Sequence, residues 1–482
     1  MFDIRPAAYV IGLLVVVLGA TMLLPMLMDI YDSNGEWWVF AISALLTCLT
    51  GGSIALACAS VSGEGLTIQQ TFLLTTGVWV VLPVFGALPF WFGATDARMV
   101  DGFFEAMSAL TTTGSTVLTG LSDLPRGLLL WRGLMQWFGG VGIIVVAMVF
   151  MPLLRVGGMQ IFRTEGFDTF GKILPRAATI ARSISSIYLV LTLACMVGYS
   201  FAGLGLFDAL VHAMTTIATG GFANYDSSFG EFGAGVEYVA VVFMLLAALP
   251  FVRYVQLLAG SAVPLFQDSQ IRVFLAISLG VVTILFIWQL TRLDVITEQA
   301  FRKAAFNGVS ILTGTGYASS DYGLWGSFPV TFFFFIGLIG GCAGSTTCSI
   351  KVFRFQLLFA SIQTQIQHIH SPNGVFHPKY NRRKVGPDVM SSVMAFLMFF
   401  MLSLVVLSVG LGMTGLDMVT SVSGAASALA NIGPGLGPEI GPAGNFSGLN
   451  DTAKWLLAAG MLIGRLELMA VFVLFTANFW RG

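Results

Sequence analysis

The chain has 482 residues, of which 56% are hydrophobic and only 10% charged, and its net charge is −1. A soluble domain carries about 25% charged residues to build its water-facing shell, so a wholly soluble globular protein is excluded. A net charge near zero also offers no electrostatic case for nucleic acid as a partner.

Apolar stretches free of charge run over 7–28, 37–60, 68–94, 133–154, 183–207, 273–290, 322–350 and 389–416. Two more tolerate charges: 238–267 contains Arg253, and 455–480 contains Arg465 and Glu467. A bilayer core of about 30 Å takes roughly 20 apolar residues per helix, so ten membrane helices are expected. The first stretch is long and lacks an evident cleavage site, so it reads as a membrane helix rather than a removable leader. The five cysteines, Cys48, Cys58, Cys195, Cys342 and Cys348, all fall inside apolar stretches, where a small buried residue is the expected role.

Basic residues orient the ten spans. Segment 155–182 carries Arg155, Arg163, Lys172, Arg176 and Arg182 against Glu165 and Asp168. Segment 351–384 carries Lys351, Arg354, Lys379, Arg382, Arg383 and Lys384 with no acid, whereas the turn after the first span holds Asp29, Asp32 and Glu36. Threading places both basic segments, and both chain ends, on the cytoplasmic side.

Four shorter, partly polar stretches, 101–113, 208–220, 298–315 and 417–432, fall between spans on the opposite side. They read as copies of one unit. Aligning Gly114, Gly221, Gly316 and Gly433 places Ser108, Thr215, Ser310 and Ser427 six positions earlier in each. Successive glycines are 107, 95 and 117 residues apart, enough for a span, a half-span and a span. Chance similarity among small-residue segments is the competing explanation, and the fourth copy rests on few positions.

Non-helical backbone survives at membrane depth only when buried in protein or lining a watery cavity. Four half-helices ending in glycine turns therefore need a shared interior, where main-chain carbonyls can replace the water shell of a cation. The negative C-terminal ends of the half-helices favour a dehydrated cation there. Asp101 and Asp208, near two half-helix starts, are expected to cap those helices rather than touch the ion.

The turns TTTGST from Thr111, ATGGFA from Ala218, TGTGYAS from Thr313 and NIGPG from Asn431 resemble the four filter turns of the TrkH/KtrB/HKT potassium-transporter superfamily. The resemblance covers essentially the whole chain, and the extra leading pair of helices favours the TrkH branch. It implies an all-α polytopic membrane protein: four helix–pore-helix–helix repeats around one central ion pore, plus two N-terminal transmembrane helices. The units are then 1–66 for the leading pair, 67–154, 155–269 and 270–358 for repeats one to three, and 359–482 for a cytoplasmic segment and repeat four. Filter residues implied by the family are Thr113, Gly114, Gly220, Gly221, Thr315, Gly316, Ile432 and Gly433, with K+ as the transported ion and no organic cofactor. The doubled glycine leaves Gly220 and Gly221 one residue apart in register. Spacing to Thr215 and Asp208 favours Gly221. In the third turn, Gly314 stands where a threonine is commoner.

The sequence IGGCAGSTTCSIK from Ile339 breaks a helix at Gly340, Gly341 and Gly344 and offers Ser345, Thr346 and Thr347 as polar groups. It resembles the family's intramembrane gating loop, although a glycine-rich packing segment is the plainer alternative. For Arg465 two readings stand: a structural clamp with Glu467 or nearby carbonyls, or, as the resemblance implies, an electrostatic barrier bonded to loop carbonyls beside the pore. Glu467, two positions away, points to another helical face, which favours the barrier. Lys351 reads as an interfacial anchor.

The resemblance further implies a homodimer and a cytosolic TrkA/KtrA-type nucleotide-binding ring, with the basic cytoplasmic face as its dock. A proton- or sodium-coupled potassium symporter is the alternative mechanism. An enzyme is disfavoured: GGCAGSTT lacks the GK[ST] of a P-loop, and His212, His368, His370 and His377 form no nucleophile–base signature.

Overall fold

The computed structural model describes residues 3–59, 66–150, 157–159, 161, 177–292 and 297–481. Among them seven helices are long and apolar enough to cross a bilayer: Arg5–Tyr31, Trp37–Cys58, Ile68–Phe92, Arg126–Met148, Ala181–Phe201, Ser269–Thr291 and Pro387–Met413. Local chemistry starts several helices. Thr67 and Gln70 form a reciprocal capping box ahead of Ile68, and Asn450 caps the helix Asp451–Arg465. The first two spans pack through small residues. A methyl group on Gly12 would lie 2.8 Å from the Gly51 carbonyl oxygen, so only glycines let these backbones approach so closely.

Three of the ten expected spans are not simple helices. The stretch 238–267 splits into Ala234–Ala247 and Phe251–Leu258, bent by 88°. The stretch 322–350 forms a short 3-10 helix over Tyr322–Trp325 and is α-helical only over Ser327–Gly337 before the glycine-rich loop begins. The stretch 455–480 breaks after Arg465, where Glu467 and Leu468 both take φ of 53°. The three breaks meet: the Cys342 N–H of the loop donates to the Ala248 carbonyl at the bend, and Arg465 lies 3.5 Å from the Thr346 carbonyl.

Two spans start earlier than their apolar stretches. Helix Arg126–Val145 contains Arg132, and helix Asp451–Arg465 contains Lys454, each 1% exposed. In the sequence a charge reads as a boundary of an apolar stretch, but both cations are paired inside the protein. The cysteines divide: Cys195, Cys342 and Cys348 are buried, while Cys48 and Cys58 are half-buried.

Four short helices, Met99–Leu110, Leu206–Ile217, Thr297–Leu312 and Met418–Ala430, match the half-spans. At 1.5 Å per residue, twelve residues reach about 18 Å, well short of a bilayer core. Of the first basic segment, Arg155, Arg163, Glu165, Asp168, Lys172 and Arg176 lie outside the described residues. The second continues from Val352–His370 into a small hairpin, Lys379–Tyr380 with Arg383–Lys384. Its turn residues Asn381 and Arg382 have φ of 48° and 66°, as a tight hairpin turn requires.

Candidate ion pore

All four half-helices end the same way. Thr112, Thr219, Gly314 and Asn431 adopt left-handed conformations, with φ of 51°, 49°, 69° and 51°. The next residue's N–H reaches back to the aligned hydroxyl residue's carbonyl: Thr113 to Ser108, Gly220 to Thr215 and Thr315 to Ser310, each 2.9 Å, and Ile432 to Ser427, 3.1 Å. This is the bond pattern of a Schellman C-cap. Gly314 is thus a permissive residue at a left-handed position, which Thr112 and Thr219 occupy at some strain. The same geometry resolves the doubled glycine. Gly221, with φ of 75°, matches Gly114 (88°), Gly316 (82°) and Gly433 (108°), and Gly220 matches Thr113.

The four turns close a ring. A methyl group built on Gly114 would overlap the Gly220 carbonyl oxygen, one on Gly221 that of Thr315, and one on Gly316 that of Ile432. Built on Gly433, it would lie 2.9 Å from the Thr113 carbonyl oxygen. Each glycine therefore faces the carbonyl preceding the next repeat's glycine, in cyclic order one to four and back to one. Gly114, Gly221, Gly316 and Gly433 all line one vestibule of about 110 Å³, shared with Asp226 and Asn445.

Side chains hold the ring from behind. Gln136 donates from Nε2 to the Gly220 carbonyl at 2.6 Å and accepts from the Phe222 N–H at 3.1 Å. Ser115 and Ser427 hydroxyls both donate to the Gly433 carbonyl at 2.8 Å. Asn431 Nδ2 donates to Thr113 Oγ1 at 2.8 Å. Of the four aligned hydroxyls, Ser108 alone has no hydrogen-bond partner among the described residues.

Buried charges, missed in the sequence, brace the segments leaving the turns. Glu105 on the first short helix accepts from Arg132 Nε at 2.9 Å and from the Val117 N–H at 3.0 Å, and neither side chain of the pair is more than 2% exposed. Arg132 also donates to the Ala223 carbonyl at 2.9 Å and lies 4.1 Å from the Phe222 ring centroid. In the third repeat, Lys303 bridges Glu237 (3.0 Å) and the Ser319 carbonyl (2.7 Å). Removing one partner of such a pair leaves an uncompensated buried charge, costing about 3–5 kcal/mol. We therefore expect Glu105→Gln to lower the melting temperature in detergent markedly; an unchanged melting curve would contradict this role.

Neither Asp101 nor Asp208 caps its helix. Asp208 accepts from Asn224 Nδ2 (2.7 Å) and the Tyr225 hydroxyl (3.1 Å), pinning the segment after the second turn. Asp101 accepts from Lys454 Nζ at 2.6 Å and Arg98 Nε at 2.8 Å. Burial raises its carboxyl pKa, and the bonds from Arg98 and Lys454 outweigh that, leaving it below the ordinary carboxylate value. Both acids serve inter-element ties because each has a partner in a neighbouring segment that linear spacing does not reveal. His212 is likewise fully buried, its Nδ1 against the Asp208 carbonyl (2.8 Å) and its Nε2 accepting from the Asn224 N–H (3.4 Å).

Beneath the ring lies the glycine-rich loop. Gly340, Gly341, Gly344, Ser345, Thr346 and Thr347 are all buried. The Gly340 N–H donates to the Ile350 carbonyl at 2.9 Å, closing the loop on itself. It docks on the bend of the 234–258 pair: the Cys342 N–H donates to the Ala248 carbonyl (3.0 Å), and the Phe251 N–H to the Gly344 carbonyl (2.9 Å). The groups freed by that bend are thereby satisfied, as membrane depth demands. Ser349 Oγ ties the loop to the Ala430 carbonyl at 3.1 Å, at the end of the fourth short helix.

Arg465 is 2% exposed and reaches the loop. It donates to the Gly139 carbonyl at 3.0 Å, lies 3.5 Å from the Thr346 carbonyl and contacts Cys348 Sγ. Glu467 pairs instead with Arg354, which also donates to the Gly157 carbonyl at 3.0 Å. Lys351 is not an interfacial anchor: it is 5% exposed and donates to the Thr347 carbonyl at 2.6 Å. A void of only about 20 Å³ remains among Thr347, Cys348, Lys351 and Arg465, room for about one water.

A family model described as a cation transport protein, TrkH, matches residues 39–481. The chain is 42% identical to the Trk system potassium uptake protein TrkI of Halomonas elongata, covering 99% of this chain and 97% of that protein. It is 35% identical to the Trk system potassium uptake protein TrkH of Salmonella typhimurium, over 99% of each. The crystal structure of the potassium transporter TrkH from Vibrio parahaemolyticus superposes with a TM-score of 0.92 at 33% identity, covering 100% of both chains.

Proposed function

The chain belongs to the TrkH family of membrane-embedded cation transport proteins, and from that premise we propose that it takes up potassium through a gated pore across the bacterial inner membrane. The closed cyclic order of Gly114, Gly221, Gly316 and Gly433, each against its neighbour's carbonyl, carries this reading. Carbonyls of Thr113, Gly220, Thr315 and Ile432, with those of the four glycines, stand in for water around the ion. The loop from Gly340 to Thr347 and Arg465 form the gate below. The division into a leading pair and four repeats belongs to the same reading.

Uptake needs no chemistry on this chain. One charge crossing about 100 mV gains roughly 2.3 kcal/mol, so a negative interior accumulates potassium through a passive pore. Both termini are cytoplasmic in this reading, the chain works as a homodimer, and a TrkA/KtrA-type ring docks on the basic face that includes Lys379, Arg382, Arg383 and Lys384. Proteoliposomes with an imposed inside-negative potential test it. Radioactive rubidium should accumulate without a proton or sodium gradient, and external potassium should compete while sodium does not. Uptake that required either gradient would favour the symporter.

A further inference from the structure

We propose that Tyr317 is a positioning residue that sets the width of the ion ring, through a hydroxyl relay tying the third turn to the second short helix. This rests on the ion-pore reading above. Tyr317 follows Gly316 directly, yet its side chain leaves its own repeat. Its hydroxyl meets Thr215 Oγ1 at 2.5 Å and Thr216 Oγ1 at 3.3 Å, and Thr216 Oγ1 in turn meets the Tyr199 hydroxyl at 2.7 Å. Tyr199, Thr215, Thr216 and Tyr317 are all fully buried.

The relay is specific to one quarter of the ring. Ser310 and Ser427, the aligned hydroxyls of repeats three and four, donate within their own repeat, to the Tyr317 and Gly433 carbonyls, each at 2.8 Å. Thr215, the same position in repeat two, bonds the Val211 (3.1 Å) and His212 (3.2 Å) carbonyls of its own helix and in addition meets the Tyr317 hydroxyl across the boundary. The residues corresponding to Tyr317 in the other turns, Ser115, Phe222 and Pro434, have no phenol to make such a reach. Tyr317 is thus held at both ends: its carbonyl by Ser310 and its hydroxyl by Thr215. The ring also packs against Phe229, with centroids 4.3 Å apart.

The consequence is mechanical. Gly316 and Thr315 contribute to the ring, and the phenol pulls that turn outward, toward the second short helix. Carbonyls kept from closing inward fit the larger potassium ion and leave sodium poorly coordinated. The relay resists collapse with a hydrogen bond inaccessible to water, where its loss is felt most.

Tyr317→Phe removes one oxygen and keeps the packed ring. In proteoliposomes its ratio of potassium to sodium conductance should fall roughly three- to tenfold, as expected for one hydrogen bond. Thr215→Val removes the shortest of these contacts and should lower the ratio in the same direction, and the double variant should be no worse than Tyr317→Phe, which already removes the bond to Thr215. A residue that only stabilises the fold would lower the melting temperature and leave the ratio alone. Folded Tyr317→Phe or Thr215→Val protein with the wild-type ratio, or additive losses in the double variant, would overturn the proposal while leaving the pore reading intact. Wild-type vesicles that fail to discriminate the two ions would overturn both.

Discussion

Gly316→Ala should abolish discrimination between potassium and sodium and reduce rubidium uptake by about tenfold or more. The residue has φ of 82°, and a side chain in that conformation costs about 1–2 kcal/mol. The larger effect is steric. An alanine methyl would overlap the Ile432 carbonyl oxygen and lie 2.9 Å from Pro434 Cδ. That carbonyl belongs to the ring itself, so relieving the clash displaces a group that serves as an ion ligand in the proposed pore. Gly221→Ala should behave alike, against the Thr315 carbonyl. Gly220→Ala is the informative comparison. Its methyl would meet the Gln136 side chain at 2.5 Å, and a side chain can shift where main chain cannot. Gly220→Ala should therefore retain several-fold more uptake than Gly221→Ala, measured at matched reconstitution. The reverse order would show that the register of the second turn is misassigned.

Arg465→Ala should raise basal cation flux in vesicles lacking any partner ring. The guanidinium touches the Thr346 carbonyl, Cys348 Sγ and the Gly139 carbonyl, so its loss frees the loop from the helix Arg126–Val145. In the proposed pore it also removes a positive charge from beside the ion path. Like charges repel more strongly at the low effective dielectric of a buried site than in water, so the leak should rise at least severalfold. Arg465→Lys keeps the charge but not the planar fork, and should leave an intermediate leak. Flux at the wild-type level from folded Arg465→Ala protein would remove Arg465 from the gate.

The glycine turns were legible because the reason for glycine is local. A left-handed backbone angle and a crowded neighbour both exclude a side chain, and four occurrences at a common offset from a hydroxyl residue expose the repeat. The half-helices were legible for the same reason: partly polar stretches too short to span cannot be lipid-exposed helices. Arg132 and Lys454 were hidden because, in one dimension, a charge reads as the edge of a membrane stretch. Only their partners Glu105 and Asp101, 27 and 353 positions away, explain their burial. Glu467 illustrates the same limit, being two positions from Arg465 in the chain and bonded to Arg354 in space.

From its residues alone, this chain is a membrane protein with spans, half-spans and four glycine turns, because hydropathy and backbone permissiveness act within a few residues. The cyclic order of the turns, the docking of the 338–351 loop on the bend at Ala248, and the charge pairs behind the ring came only with the tertiary structure. These depend on which carbonyl or carboxylate a distant segment delivers, and covalent neighbours carry no record of that.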